Sequence, residues 1–343
     1  MTFRILALSG GGLRGAFAIG VLSEIERRLD RPLTDYFDLV AGTSTGSITA
    51  AALCVGKTAA EVQEFYEKHG EQIFKPRDDF RPKHIAKPVY PLLRRYLRWR
   101  SGKNLDHFFQ SRYCPFALRD SMVDGFGEAP LRSADRCRLI IPTVNLSDGE
   151  TYVFRTPHLG RPRPEFDWPI ADIIVASTAA PTYFPHKEMP DGKFYVDGGL
   201  WAIDPGVVAL SEAARIIDGE TQCQGRTERL DDVHLLSIGT GTASYTLAPP
   251  GGDAGMLFWA PHVAEVMSIS QVQGTHLPLK MVLGDRYTHV DFPLPDPSWT
   301  LDNTSITDQL FEKGHHAGKE VFQELEAEFF PSWDSDGDPL SHP

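Results

Sequence analysis

The chain contains few cysteines and no long apolar run. Only 4 of its 343 residues are cysteine, and they lie far apart with no C-x-x-C pair. This spacing predicts free thiols in a reducing compartment and argues against a disulfide framework or a zinc site built on cysteine. No apolar stretch reaches the roughly 18 residues that a transmembrane helix needs. The first residues also run directly into a strand pattern, without the apolar core of a signal peptide. We therefore expect a cytoplasmic protein.

Positive charge is scarce as well, except in one segment. The formal net charge is −12, which excludes a general binder of nucleic-acid polymers. Residues 75–103 nevertheless carry ten lysines and arginines against two aspartates. In the second half of this segment, apolar residues recur at helical spacing. The basic and aromatic residues among them are Arg94, Arg95, Arg98 and Trp99. This pattern is typical of a helix that contacts a membrane surface. The alternatives are binding of a ligand phosphate and a packed helix with extended arginines.

One pentapeptide has the pattern of a nucleophile turn. Gly42-Thr43-Ser44-Thr45-Gly46 lies between a short apolar strand pattern and a helix-forming stretch. In a G-x-S-x-G turn the glycines permit a sharp bend that exposes the serine hydroxyl. The helix that follows directs its first N–H groups toward that hydroxyl. Ser44 is therefore the candidate nucleophile.

A second glycine turn opens the first predicted helix. It follows the strand pattern at residues 4–8 and supplies the candidate oxyanion loop, which comprises Gly10, Gly11, Gly12, Arg14 and Gly15. Backbone N–H groups at the start of a helix are suited to bind a developing oxyanion. We expect Gly11 and Gly12 to be the donors.

A third turn, Asp197-Gly198-Gly199, also follows a strand pattern. Its aspartate is the candidate base for Ser44. A free aspartate has a pKa of about 3.9 and is a weak base at neutral pH, but burial at the end of an apolar strand raises that pKa. The carboxyl ends of parallel strands face one crevice, so we expect the three turns to converge there.

The order of short apolar strands and helices predicts an α/β fold with a largely parallel sheet. Two of the strand patterns, at 139–144 and 151–154, flank a turn and predict a hairpin. The absence of repeats and of a clear linker predicts one domain over residues 4–330, with the catalytic motifs within 4–241 and a helical part at 242–330. Residues 331–343 are predicted to be a polar tail.

Two other functions use parts of the same pattern. A common α/β-hydrolase also has G-x-S-x-G but adds a histidine, for which the candidates are His276, His289, His315 and His316. Ser44 comes early for such a fold. The residues Gly10, Gly12 and Gly15 also match the dinucleotide fingerprint, which requires an acidic residue at the end of the second strand. Here Asp38 precedes that strand.

Taken together in this order, the three glycine turns resemble the patatin-like phospholipase family. The segments 176–184 and 237–241 are also similar to it. The resemblance implies a three-layer α/β/α sandwich, a Ser44–Asp197 dyad and an oxyanion hole from Gly11 and Gly12 with Arg14 nearby. It further implies hydrolysis of phospholipid acyl esters at a membrane surface, with peripheral contact at the inner face, and no metal or other cofactor.

The C-terminal part adds a second likeness. Residues 286–287, 301–303 and 306–328 are similar to patatin-like effectors of bacterial anti-phage systems that respond to cyclic oligonucleotides. This likeness implies a cyclic dinucleotide activator.

Overall fold

The computed structural model describes residues 2–77, 95, 111–224, 229–242, 253–296 and 298–332. The strands are β1 (Phe3–Leu8), β2 (Leu39–Gly42), β3 (Arg138–Asn145), β4 (Glu150–Arg155), β5 (Lys187–Glu188), β6 (Phe194–Asp197), β7 (Val233–Ile238) and β8 (Tyr287–Val290). The helices are α1 (Gly15–Glu26), α2 (Thr45–Cys54), α3 (Ala59–Ile73), α4 (Pro115–Phe126), α5 (Ile170–Thr178), α6 (Gly206–Gln224), α7 (Met256–Leu283) and α8 (Thr307–Phe329).

All of these strands join a single sheet in the order β5-β6-β3-β2-β1-β7-β8, with β4 paired to β3. The pairs β1–β2, β2–β3, β1–β7 and β7–β8 are parallel. The pairs β3–β4, β3–β6 and β5–β6 are antiparallel. The predicted largely parallel sheet and the predicted hairpin, now β3–β4, are confirmed.

Helices cover both faces of this sheet. Successive side chains of a strand point to opposite faces, and along β1 Leu6 and Leu8 belong to one buried cluster while Ile5 and Ala7 belong to the other. The first cluster includes residues of α1, α2, α3, α5 and α8, and the second includes residues of α6 and α7. The three-layer α/β/α sandwich is therefore confirmed.

The third glycine turn reaches the site from an unexpected direction. β6 runs antiparallel to β3 and pairs with its last residues, Thr143 to Asn145, whereas β2 pairs with its first ones, Arg138 to Ile140. β3 extends past the C-terminal end of β2, and β6 pairs with this extension of β3. Since β6 is antiparallel to β3, it runs toward the C-terminal end of β2. Asp197, the last residue of β6, thus arrives near the turn that follows β2. The expectation that all three turns follow parallel strands was wrong for this one.

None of the helices in the described ranges combines the length and the apolarity that crossing a bilayer requires.

Candidate active site

Ser44 occupies a strained turn between β2 and α2. Its φ of 53° and ψ of −124° lie where residues with a side chain are rare. The bend brings the chain so close to β1 that a Cβ on Gly46 would collide with the carbonyl oxygen of Leu8, and a Cβ on Gly42 would collide with that of Gly46. Side chains are excluded at both glycines for this reason. The turn leaves Ser44 half-buried at the N-terminus of α2.

The Ser44 hydroxyl donates a hydrogen bond to Asp197. The distance from Ser44 Oγ to Asp197 Oδ2 is 2.7 Å. The second carboxylate oxygen, Oδ1, accepts the Gly199 N–H at 2.7 Å, and this bond fixes the orientation of the carboxylate. A Cβ on Gly198 would collide with the Pro142 carbonyl, so the turn packs directly against β3. The candidate nucleophile and the candidate base are therefore within hydrogen-bond reach before any substrate binds.

Burial raises the pKa of Asp197. The side chain is only 4% exposed, and removal from water raises its pKa to about 6, although the hydrogen bonds from Gly199 and Ser44 act in the opposite direction. A carboxylate with this pKa is a stronger base than a free one and is still largely ionised at neutral pH. The environment thus supplies much of the basicity that a histidine would otherwise provide.

This pKa predicts how activity depends on pH. Asp197 must be ionised to accept the Ser44 proton, so kcat/KM for a soluble ester should fall as the pH drops and reach half its plateau near pH 6. The measurement is the pH profile of kcat/KM between about pH 4.5 and 8, which reports the free enzyme. A half-maximum near the ordinary aspartate pKa of about 3.9 would contradict the proposed environment.

The oxyanion loop leaves two N–H groups without a partner. Gly10 N–H donates to the Ile203 carbonyl at 2.8 Å, and Gly15 N–H bonds back to Gly12. In the part of the chain that the structure describes, the N–H groups of Gly11 and Gly12 have no acceptor. The loop lines the same pocket as Ser44. Gly11 and Gly12 are thus the available donors, whereas Gly10 and Gly15 pack against Ser44 and Thr45.

Two distant segments fix this loop. Thr240 Oγ1 donates to the Gly10 carbonyl at 2.8 Å, and Leu13 N–H donates to the Leu301 carbonyl at 2.8 Å. Gly12 has a φ of +57°, and a Cβ there would collide with the Leu301 carbonyl. The segment around Leu301 therefore sets the position of the loop that carries the N–H donors.

Asp302 anchors that segment. Its Oδ2 accepts hydrogen bonds from Arg112 Nη1 at 2.6 Å and from the Tyr113 hydroxyl at 2.5 Å. Its Oδ1 accepts one from Thr300 Oγ1 at 2.8 Å. Hydrogen bonds to an ionised carboxylate are about twice as strong as neutral ones. We infer that Asp302 is a positioning residue that acts through Leu301 on the oxyanion loop.

Asp302→Asn is expected to lower kcat by about 10-fold while changing KM little, because small misplacements of catalytic groups cost rate rather than binding. Steady-state kinetics on a soluble ester measures both constants. The matched control is Asp308→Asn, at an exposed position in the first turn of α8. An unchanged kcat in Asp302→Asn would show that Asp302 does not position the oxyanion loop.

The site opens into an apolar pocket. Its volume is about 370 Å³, within the usual range for small-molecule sites. Ser44 and Asp197 lie in its wall together with apolar side chains, namely Leu13, Ile48, Ile73, Phe74, Leu118, Phe184 and Leu301. Thr45 hydrogen-bonds the Tyr66 hydroxyl, and both residues also line the pocket. The pocket therefore suits a long apolar group attached to a reactive polar centre.

Arg14 also lines this pocket. Its side chain is half-buried, and its Nε is a buried donor with no hydrogen-bond partner among the described residues. Burial lowers the pKa of the Arg14 guanidinium, and the nearby Asp291 opposes this effect. Arginine remains charged in proteins regardless of such shifts. Arg14 thus places a positive charge in the wall of the pocket that Ser44 and Asp197 also line.

Ser177 is a residue that the sequence analysis did not single out. Its hydroxyl accepts the Ser44 N–H at 3.1 Å and donates to the Pro142 carbonyl at 2.7 Å. The strained turn is thereby tied to α5 and β3. The segment 176–184 carried part of the family resemblance, but nothing in its local pattern indicates this contact.

The structure does not support the alternative with a histidine triad. No histidine of the described residues lines the pocket, and the partner of the Ser44 hydroxyl is Asp197. His276 and His289 contact one another instead, and His276 Nε2 lies 3.2 Å from Asp204 Oδ2. His315 and His316 lie on α8, where His316 is exposed beside Glu320.

The dinucleotide alternative also lacks its acidic residue. Asp38 accepts the Arg4 N–H at 2.9 Å, next to the start of β1. The fingerprint requires a carboxylate at the opposite end of β2, where Ser44 lies instead.

The basic segment is mostly outside the described residues. Arg94, Arg98 and Trp99 lie there, whereas Arg95 is described and is an exposed helical residue. A contact of these residues with membrane or ligand therefore stays a prediction. Residues 333–343 of the predicted tail also lie outside the described ranges.

Comparison with known proteins gives consistent matches. A family model described as Patatin-like phospholipase matches residues 6–205. The chain is 32% identical over 352 residues to a cGAMP-activated phospholipase of Vibrio cholerae serotype O1, with 94% of this chain and 92% of the relative covered. It is 30% identical over 353 residues to a cGAMP-activated phospholipase of Pseudomonas aeruginosa, with 100% and 91% covered. Both alignments extend well beyond the catalytic motifs.

Proposed function

Because the chain belongs to the patatin-like phospholipase family, we propose that it cleaves fatty-acyl esters of membrane phospholipids with Ser44 as nucleophile and Asp197 as base. The observation that carries this proposal is the 2.7 Å hydrogen bond from Ser44 Oγ to Asp197 Oδ2 in the wall of an apolar pocket. The enzyme is thus a lipid acyl hydrolase.

The reaction proceeds in two halves. Ser44 Oγ attacks the acyl carbonyl carbon while Asp197 Oδ2 takes the hydroxyl proton. The N–H groups of Gly11 and Gly12 stabilise the tetrahedral oxyanion, and each such donor contributes about 3 kcal/mol in other hydrolases. The lysophospholipid oxygen then leaves with the proton from Asp197, and the acyl chain stays on Ser44. Water, deprotonated by Asp197, attacks this ester and releases the fatty acid, and the proton returns to Ser44.

We further propose that a cyclic dinucleotide activates the enzyme. Two relatives that align over almost the whole chain are cGAMP-activated phospholipases. The test measures phospholipid hydrolysis with no ligand and with each member of a panel of cyclic dinucleotides. We expect at least one member to raise the rate by about 10-fold or more, within the usual range of allosteric coupling. Equal hydrolysis with and without every ligand would refute activation by a cyclic dinucleotide. No hydrolysis under any of these conditions would contradict the proposed phospholipase activity.

The basic segment is the proposed contact with the inner face of the membrane. The variant with Arg94, Arg95 and Arg98 changed to Glu should lose binding to anionic vesicles and keep turnover of a soluble ester. Unchanged vesicle binding would refute this contact.

We also propose that residues 4–330 act as one catalytic domain. Three observations support this: β8 extends the central sheet beside β7, Leu301 holds the oxyanion loop, and α8 packs into the same core as α1.

A further inference from the structure

Two histidines and an aspartate converge where α7 and the segment before α6 meet β7 and β8. Asp204 lies just before α6, His276 on α7 and His289 on β8. One potential ligand atom from each residue lies within 4.8 Å of the others. None of the three lines the catalytic pocket, so the cluster is separate from the ester-cleaving groups.

The spacing of these atoms is close to that of a metal site. Bonds of about 2.0–2.1 Å in a tetrahedral zinc site place neighbouring donor atoms about 3.4 Å apart. His276 Nε2 is 3.2 Å from Asp204 Oδ2, and the rings of His276 and His289 have centroids only 3.8 Å apart. One ligand atom of each of the three residues lies within 4.8 Å of the others, so the His289 ring must move closer to the other two ligands to complete a three-residue set.

Hydrogen bonds around the cluster orient its members in the way that metal ligands are oriented. Asp204 Oδ1 accepts the Gly206 N–H at 2.7 Å and Oδ2 accepts the Ser237 hydroxyl at 2.6 Å. His289 Nδ1 is 3.2 Å from Ser237 Oγ, and its Nε2 is 3.7 Å from Asp291 Oδ2. A carboxylate behind a ligating histidine is a common outer partner in metal sites.

Charge and access also suit a cation. The side chains of His276 and His289 are 25% and 20% exposed, so an ion can enter from solvent. One anionic oxygen donor with two imidazoles suits a divalent transition metal such as Zn²⁺.

We propose that Asp204, His276 and His289 form a binding site for one divalent transition-metal ion, with water completing its coordination. The role of the ion is structural: it ties α7 and β8 to the segment before α6. Ile203, next to Asp204, accepts the Gly10 N–H of the oxyanion loop, so the ion would also stiffen the support of that loop. The sequence analysis expected no metal, and this ion takes no part in ester cleavage.

The test is equilibrium dialysis of the purified full chain against Zn²⁺ after treatment with a chelator, followed by elemental analysis. We expect one Zn²⁺ per chain at micromolar free metal. His276→Gln and His289→Gln should each weaken binding by about 100-fold, since even the loss of an outer partner costs about 10–100-fold. The control is His316→Gln, at an exposed histidine on α8.

A second readout separates loss of the site from loss of the fold. Zn²⁺ should raise the Tm of the wild-type protein and of His316→Gln, but not that of His276→Gln or His289→Gln, because an ion that binds the folded state stabilises it. Labelling of Ser44 by a fluorophosphonate shows whether each variant is folded. Absence of bound Zn²⁺ in the wild-type protein would overturn the proposal, as would binding of Zn²⁺ by both Gln variants with the affinity of the wild-type protein.

Discussion

Replacement of Ser44 by alanine is expected to lower phospholipid hydrolysis by at least about 10⁴-fold, because removal of a catalytic serine abolishes the covalent route. The alanine methyl group cannot replace the Ser44 hydroxyl, which donates to Asp197 Oδ2 at 2.7 Å in the wild-type protein. The measurement is release of fatty acid from mixed phospholipid vesicles, with activator present if one is found. Residual activity reflects only binding and the oxyanion donors.

The matched control for this variant is Ser211→Ala. Ser211 is an exposed serine on α6, and its hydroxyl donates to the Val207 carbonyl within its own helix. This variant should keep full activity. If Ser44→Ala retained activity comparable to that of Ser211→Ala, Ser44 would not be the nucleophile.

Asp197→Asn is expected to lower the rate by about 10⁴-fold, the loss seen when the acidic member of a serine-hydrolase constellation is replaced. The amide oxygen can still accept the Gly199 N–H, which holds the turn at 2.7 Å in the wild-type protein. The amide cannot take the Ser44 proton, however. The loss should therefore appear in kcat, with the fold retained. Asp218→Asn, at an exposed position on α6, is the control and should behave as wild type.

The stability of this variant distinguishes a lost base from a lost fold. The pKa of Asp197 is about 6 in the folded state and about 3.9 in the unfolded state. The folded state thus holds the proton more tightly, so ionisation destabilises the wild-type protein as the pH rises through the range between these values. This loss of stability is absent at pH values below the pKa of the unfolded state and complete at pH values above the pKa of the folded state.

Asp197→Asn has no such penalty. Between pH 5 and pH 8 its free energy of unfolding should gain roughly 1 kcal/mol relative to the wild type. Denaturant unfolding of both proteins at the two pH values measures this difference. A difference that does not change with pH would show that Asp197 is not a buried carboxylate of raised pKa.

Local sequence patterns predicted the parts of the site that depend on local geometry. The turn around Ser44 is predictable because a bend that approaches the Leu8 carbonyl so closely excludes a side chain at Gly46. The oxyanion loop was predicted on similar grounds. For Gly10 and Gly15, however, only the structure shows that their N–H groups are already used within the protein.

Contacts between residues far apart in the chain had no local signal. The Leu301 carbonyl fixes Gly12 and Leu13, and Ser177 holds the Ser44 N–H. The antiparallel direction of β6 also depends on how far β3 extends past β2, a property of the assembled sheet. His276 and His289 were candidates for a triad because histidine is a common base, but tertiary packing places them with Asp204.

The central claim is that Asp197, without a histidine, activates Ser44. Its most direct test is reaction with a fluorophosphonate at pH 8, followed by peptide mapping by mass spectrometry for the wild-type protein and Asp197→Asn. We expect a single adduct on Ser44 in the wild-type protein and labelling slowed by about 10³-fold or more in Asp197→Asn. An adduct on another serine, or equal labelling of the two proteins, would contradict it.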